Sequence, residues 1–167
     1  WIDWMWAKAK PPTDLSLPGV TFIPISTLAE LQVHAVEFQN CLRQPLLQPE
    51  RTFRSRWFYV LGVRDDCGRH HRALVSVLID KADEDVAATP VAELDQVEGA
   101  EGAECDPSVH EACSTLVAFL NSAEQASARA AMDEVAEEIG YAVLLFAMLW
   151  RELNLRKLLG DSLPMRR

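Results

Sequence analysis

Several things are scarce in this chain, and each scarcity excludes something. No long apolar run is present. The longest, from Tyr141 to Trp150, has ten residues. That length suits a core helix and is too short to span a bilayer, so no membrane contact is expected. No basic n-region followed by an apolar h-region marks a secretory signal. Basic residues are in deficit, 16 Lys and Arg against 25 Asp and Glu, for a net charge of −9. Such a chain lacks the general positive field that nonspecific nucleic-acid binding needs. The four cysteines, Cys41, Cys67, Cys105 and Cys113, form no Cys-x-x-Cys pair. Without a secretory signal they read as thiols of a reducing, cytoplasmic setting, and no cofactor is implied.

What is present is ordinary for a globular protein. Apolar residues make up 49% and charged residues 25% of the 167. The length fits one domain with an extension. Trp1-Ile2-Asp3-Trp4-Met5-Trp6 reads as the tail of an element cut from a longer protein. Pro11, Pro12 and Pro18 then predict an extended linker, so 1–19 stands apart. Residues 20–123 form the domain proper, and 124–167 a helical extension.

The organising stretch is Thr27 to Leu42. Thr27 and Glu30 make a capping box. Leu28, Leu31, Ala35, Phe38 and Leu42 recur at helical spacing and form one apolar stripe. Pro45 stops this helix. Before it, Val20 to Ile25 is β-branched, but Pro24 reduces it to an edge strand or an extended lead-in. After it, Trp57 to Val63 and Arg72 to Asp80 predict two strands joined at Asp65-Asp66-Cys67-Gly68-Arg69. Pro90 to Val97 alternates and predicts a third strand. Ser108 and Glu111 suggest a second capping box, opening a helix to Leu120. A longer helix is expected from about 124 to 159, with Gly140 as a candidate bend. The fold class is therefore α+β: a three-stranded antiparallel β-meander covered by the 27–42 helix, with a long C-terminal helix.

Ile25-Ser26-Thr27-Leu28-Ala29-Glu30-Leu31, then Phe38-Gln39-Asn40-Cys41-Leu42, then two strands and Leu94-Asp95-Gln96-Val97-Glu98-Gly99 resemble the PcfJ-like family of conjugative plasmids and other bacterial mobile elements. The resemblance covers roughly 15–120. Asn40 stands where the family more often has His, no Tyr follows soon after Cys41, and Gly102 replaces an Asn. The family has no established biochemical activity. The resemblance implies a mobile-element setting, and a clustering of Asn40, Cys41, Gln96 and Gly99.

Four candidate chemistries follow. Cys41 is a candidate nucleophile, but His34 lies two helical turns away, about 10 Å along the axis. A helix C-terminus also disfavours a thiolate. Gln96 and Gly99, with Asn40, are candidate binding residues. Cys67, His70 and His71 lie around one turn and Cys105, His110 and Cys113 around another. These are zinc-ligand types, but their spacing is that of no known ribbon or finger, and Cys113 falls on the apolar helix face. No metal site is therefore expected, with Cys67, His70, Cys105 and His110 as the weak candidates. Arg43, Arg51, Arg54, Arg56, Arg64, Arg69 and Arg72 surround the aromatic strand, a pairing that suits single-stranded nucleic acid. Strand aromatics are more often core, however, and the acidic segment from Asp83 to Asp106 can pair with these arginines, so the nonbinding reading is favoured. The expected function is a noncatalytic cytoplasmic module that binds protein or nucleic acid. The alternatives are a Cys41 enzyme assisted by a histidine and Gln96, and a zinc-binding module.

Overall fold

The computed structural model describes residues 7–38, 55–80, 89–100 and 103–160. Among these residues four strands and three α-helices follow one another: β1 (Val20–Ile25), α1 (Leu28–Glu37), β2 (Arg56–Arg64), β3 (His70–Asp80), β4 (Val91–Gly99), α2 (Pro107–Leu120) and, after a short 3-10 turn at Ala123–Gln125, α3 (Ala126–Gly160). The sheet is an antiparallel meander in the order β1-β2-β3-β4. It therefore has four strands, not the expected three. Pro24 lies in β1 opposite Tyr59. An edge strand bonds a neighbour on one side only, so a residue without an N–H is accommodated there.

Side chains alternate across the sheet and make two cores. On one face Trp57, Tyr59, Leu61 and Val63 of β2 join Ala73, Val75, Val77 and Ile79 of β3. Against them pack Val109, Cys113, Leu116 and Leu120 of α2, and Met132 and Val135 of α3. On the other face Ile25, Phe58, Val60 and Leu74 meet Leu31 of α1 and Phe38 just beyond it. The sheet is thus covered on both faces, α1 on one and α2 with the start of α3 on the other. This explains why β2 reads as a continuous apolar run, Trp57 to Leu61, instead of alternating.

The α1 capping box forms as the sequence predicts. The Glu30 amide donates to Thr27 Oγ1 at 3.2 Å, and the Thr27 amide donates to Glu30 Oε2 at 3.2 Å. The helix runs to Glu37 with Phe38 as its C-cap. Its expected continuation through Asn40, Cys41 and Leu42 lies outside the described residues. The start of α2 differs from expectation. Its N-cap is Asp106, not Ser108, and Pro107 occupies the first turn. Proline suits that position because its missing N–H is an orphan there anyway.

The segment before β1 lies along the α2 face of the sheet. Ala9 is buried, and the Trp57 indole donates to its carbonyl at 3.0 Å. Tyr59 Oη donates to the Pro12 carbonyl at 3.3 Å. At the far end of the sheet, Asn121 closes α2 and grips β4. Its amide accepts from the Ala92 N–H and donates to the Ala92 carbonyl, both at 2.8 Å. Among the described residues no helix is long and apolar enough to cross a membrane.

Candidate functional site

Strand parity decides which histidine enters the site. His71 pairs with Val63, so it shares the face of Ala73 and Val75 and looks toward α2. His70 pairs with Arg64 on the opposite face. The Arg64 guanidinium reaches His70 Nε2, at 3.1 Å from Nε and 2.8 Å from Nη2.

The β2–β3 turn supplies the second group. The Gly68 amide donates to the Asp65 carbonyl, and the Asp65 amide to the Arg69 carbonyl. Gly68 takes φ +79, a conformation glycine adopts readily. Asp65 Oδ1 accepts from the Arg69 amide at 2.8 Å, and Oδ2 accepts from Arg69 Nε at 2.8 Å. Oδ2 also lies 3.0 Å from His71 Nε2. The N-terminus of α2 supplies the third group. Asp106 Oδ1 caps the helix, accepting from the Ser108 amide at 3.0 Å and the Ser108 hydroxyl at 2.7 Å. Its other oxygen faces His71 Nε2 at 3.9 Å. One ligand atom each from Asp65, His71 and Asp106 therefore lie within 4.8 Å of one another. An open cleft of about 600 Å³ borders them, lined by His71, Glu104, Cys105, Asp106, Pro107 and His110.

Both carboxyls are held below the usual carboxylate range. For Asp65 the His71 hydrogen bond is the main cause, opposed by desolvation and reinforced by Arg69. For Asp106 the Ser108 hydroxyl and amide dominate, against desolvation, with a lesser contribution from His71. A carboxyl that binds its proton less readily when folded stabilises the fold above its unfolded value, about 3.9 for Asp. That contribution is lost as pH falls below this value toward the lower folded one. Urea unfolding followed from about pH 5 down to about pH 2 is therefore expected to show a steep acid limb. Asp65→Asn and Asp106→Asn should each flatten it. An unchanged limb in both variants would mean that other carboxyls govern acid unfolding.

The expected candidates are distributed as follows. Cys105 and His110 do border the cleft. Cys67 is exposed, and His70 is turned to Arg64, so the weak zinc candidates Cys67, His70, Cys105 and His110 do not converge. Burial, and the nearby Glu98 charge, push the Cys105 thiol up, although a Gly99 hydrogen bond opposes this. Burial pushes Cys113 up to about 12. Gln96 pairs with Ser76, and Gly99 with Ala73, so these two residues lie on opposite faces of the sheet. A β-carbon on Gly99 would meet the Ala103 carbonyl oxygen at 2.5 Å, which gives this glycine a packing reason. Gln96 donates to Glu98. Arg56 is engaged by Asp95 at 3.0 Å. Asn40, Cys41 and Arg54 lie outside the described residues.

Two members of the cluster, Asp65 and Asp106, are not obvious from sequence, the first reading as a turn residue and the second as part of an acidic loop. The available signals were strand parity for His71 and an Asp directly before a helix-opening proline for Asp106. Compared with known proteins, the chain matches no family model, no curated protein and no solved structure.

Proposed function

We propose that this domain is a noncatalytic binding module whose site takes a divalent cation of the Zn²⁺ class. The supporting observation is the convergence of Asp65, His71 and Asp106 from a turn, a strand and a helix N-terminus, with their ligand atoms within 4.8 Å. One imidazole and two carboxylates suit Zn²⁺ or Mn²⁺. Three protein ligands leave coordination positions for water or for a group from a partner. A cation at this point takes the place of the proton that His71 Nε2 shares with Asp65. It also displaces the Arg69 guanidinium, whose side chain is 69% exposed and can turn into water. The ion then holds the β2–β3 turn to α2, and its binding energy becomes folding energy.

Beside this cleft, burial raises the Cys105 and Cys113 thiols, which favours binding over thiol catalysis by these two cysteines. The resemblance to PcfJ-like proteins supplies the proposed setting, a cytoplasmic protein of a bacterial mobile element. The net charge of −9 and the pairing of Arg56 with Asp95 favour a protein partner over nucleic acid.

The test is calorimetric titration of the chelator-stripped chain with Zn²⁺, and separately with Mn²⁺. One equivalent is expected to bind. His71→Ala and Asp106→Asn should each weaken binding by about tenfold or more, while Cys67→Ser leaves it unchanged. No saturable binding, or binding indifferent to both site variants, would overturn the reading.

A further inference from the structure

In the long helix α3 the buried side chains, among those described, all lie in the first third. Arg129, Met132, Val135 and Ala136 are buried, whereas every described side chain from Glu137 onward is at least partly exposed. The helix has 35 residues, and the part beyond Ala136 is more than half of it. This outer part carries the longest apolar run of the chain, Tyr141 to Trp150, with no charged residue. Tyr141, Leu145, Met148 and Leu149 are 69%, 61%, 67% and 62% exposed. At 100° per residue they fall within one arc of about 100°, a continuous apolar stripe. Apolar stripes of this kind on a soluble helix are normally covered.

We propose that this stripe is the contact surface of a homodimer in which two copies of α3 pack antiparallel about a two-fold axis at Leu145. The sequence is self-complementary about that residue. Tyr141 and Leu149 lie four residues to either side, so each meets the other across the axis, and Leu145 meets its own copy. Glu134 lies eleven residues before Leu145 and Arg156 eleven residues after it, both at helix positions on the same arc. Antiparallel pairing therefore sets Glu134 of each copy against Arg156 of the other. A parallel pair would set Glu134 against Glu134 and Arg156 against Arg156. One like-charge meeting remains, Glu138 against Glu152, and Glu138 already has Lys8 of its own chain at 2.7 Å. This is an isologous contact, in which one surface serves both copies. Because a single helix pair is smaller than a standard protein interface, the dimer is expected to exchange with monomer in the micromolar range.

Sedimentation of the full chain across the micromolar range tests this directly. The wild type should shift from monomer toward dimer as concentration rises. Leu145→Glu places two carboxylates face to face on the axis and should remain monomeric throughout, with an unchanged far-ultraviolet spectrum. Glu134→Arg should weaken the dimer, and combining it with Arg156→Glu should restore it. A wild type that stays monomeric would overturn the proposal, as would a dimer that survives Leu145→Glu. A dimer lost in the single charge variant and not recovered in the double would overturn the antiparallel register.

Discussion

Replacing Arg129 with leucine should lower the unfolding free energy by about 3–5 kcal/mol, since each buried carbonyl left without its donor costs about 1–3 kcal/mol. Arg129 is 6% exposed. Its Nε donates to the Pro90 carbonyl at 2.6 Å, and its Nη1 donates to the carbonyls of Leu120 and Ser122, the latter at 3.0 Å. Leu120 is the last residue of α2, where carbonyls have no partner within the helix. Pro90 leads into β4. One guanidinium on α3 thus satisfies the end of α2 and the start of β4 together. Lysine keeps the charge but lacks the planar fork, so Arg129→Lys should recover only part of the loss. Urea denaturation followed by circular dichroism measures both. A loss no larger than the roughly 0.5 kcal/mol of an ordinary surface substitution would show that the three carbonyls find water instead.

Trp57→Ala is the second large effect, at about 3–5 kcal/mol. The ring is 2% exposed at the centre of the α2-side core, between the sheet and the segment that precedes β1. Removal leaves a large cavity and deprives the Ala9 carbonyl of its donor. Trp57→Phe separates the two contributions. It keeps most of the packing and loses only the hydrogen bond, for about 1–2 kcal/mol. Amide hydrogen exchange at Ala9, Lys10 and Thr13, the N–H groups around Pro11 and Pro12, should quicken in Trp57→Phe. Unchanged exchange there would show that Tyr59 alone secures the segment.

Much of this arrangement is legible in the residues. The α1 capping box, the two central strands, the helix ending at Leu120 and the edge character imposed by Pro24 follow from local pattern. The site is less legible because it depends on pairing. His70 and His71 are chemically equivalent in sequence, and only the register of β2 with β3 sends one toward Asp65 and the other toward Arg64. Asp106 competes with Ser108 for the N-cap. The carboxylate wins, with the Ser108 hydroxyl itself donating to it. The end of β4 is harder still. Its sequence alternates smoothly, yet Ser76 opposes Gln96 and Val77 opposes Leu94, which leaves Asp95 as an extra residue. That bulge turns Asp95 toward Ser76 and Arg56, at 2.9 and 3.0 Å, and no period-2 reading of one strand reveals it.

The grip of Asn121 on Ala92 has a consequence for how the sheet ends. An outermost strand offers unpaired N–H and carbonyl groups to any passing extended chain, and this is a common start of aggregation. At Ala92 both groups are already taken by a side-chain amide that mimics one residue of a further strand. Farther along β4 the Asp95 bulge interrupts the flat row of groups, and on the opposite margin Pro24 leaves one N–H missing from β1. Strand addition is thereby discouraged at both margins of the sheet.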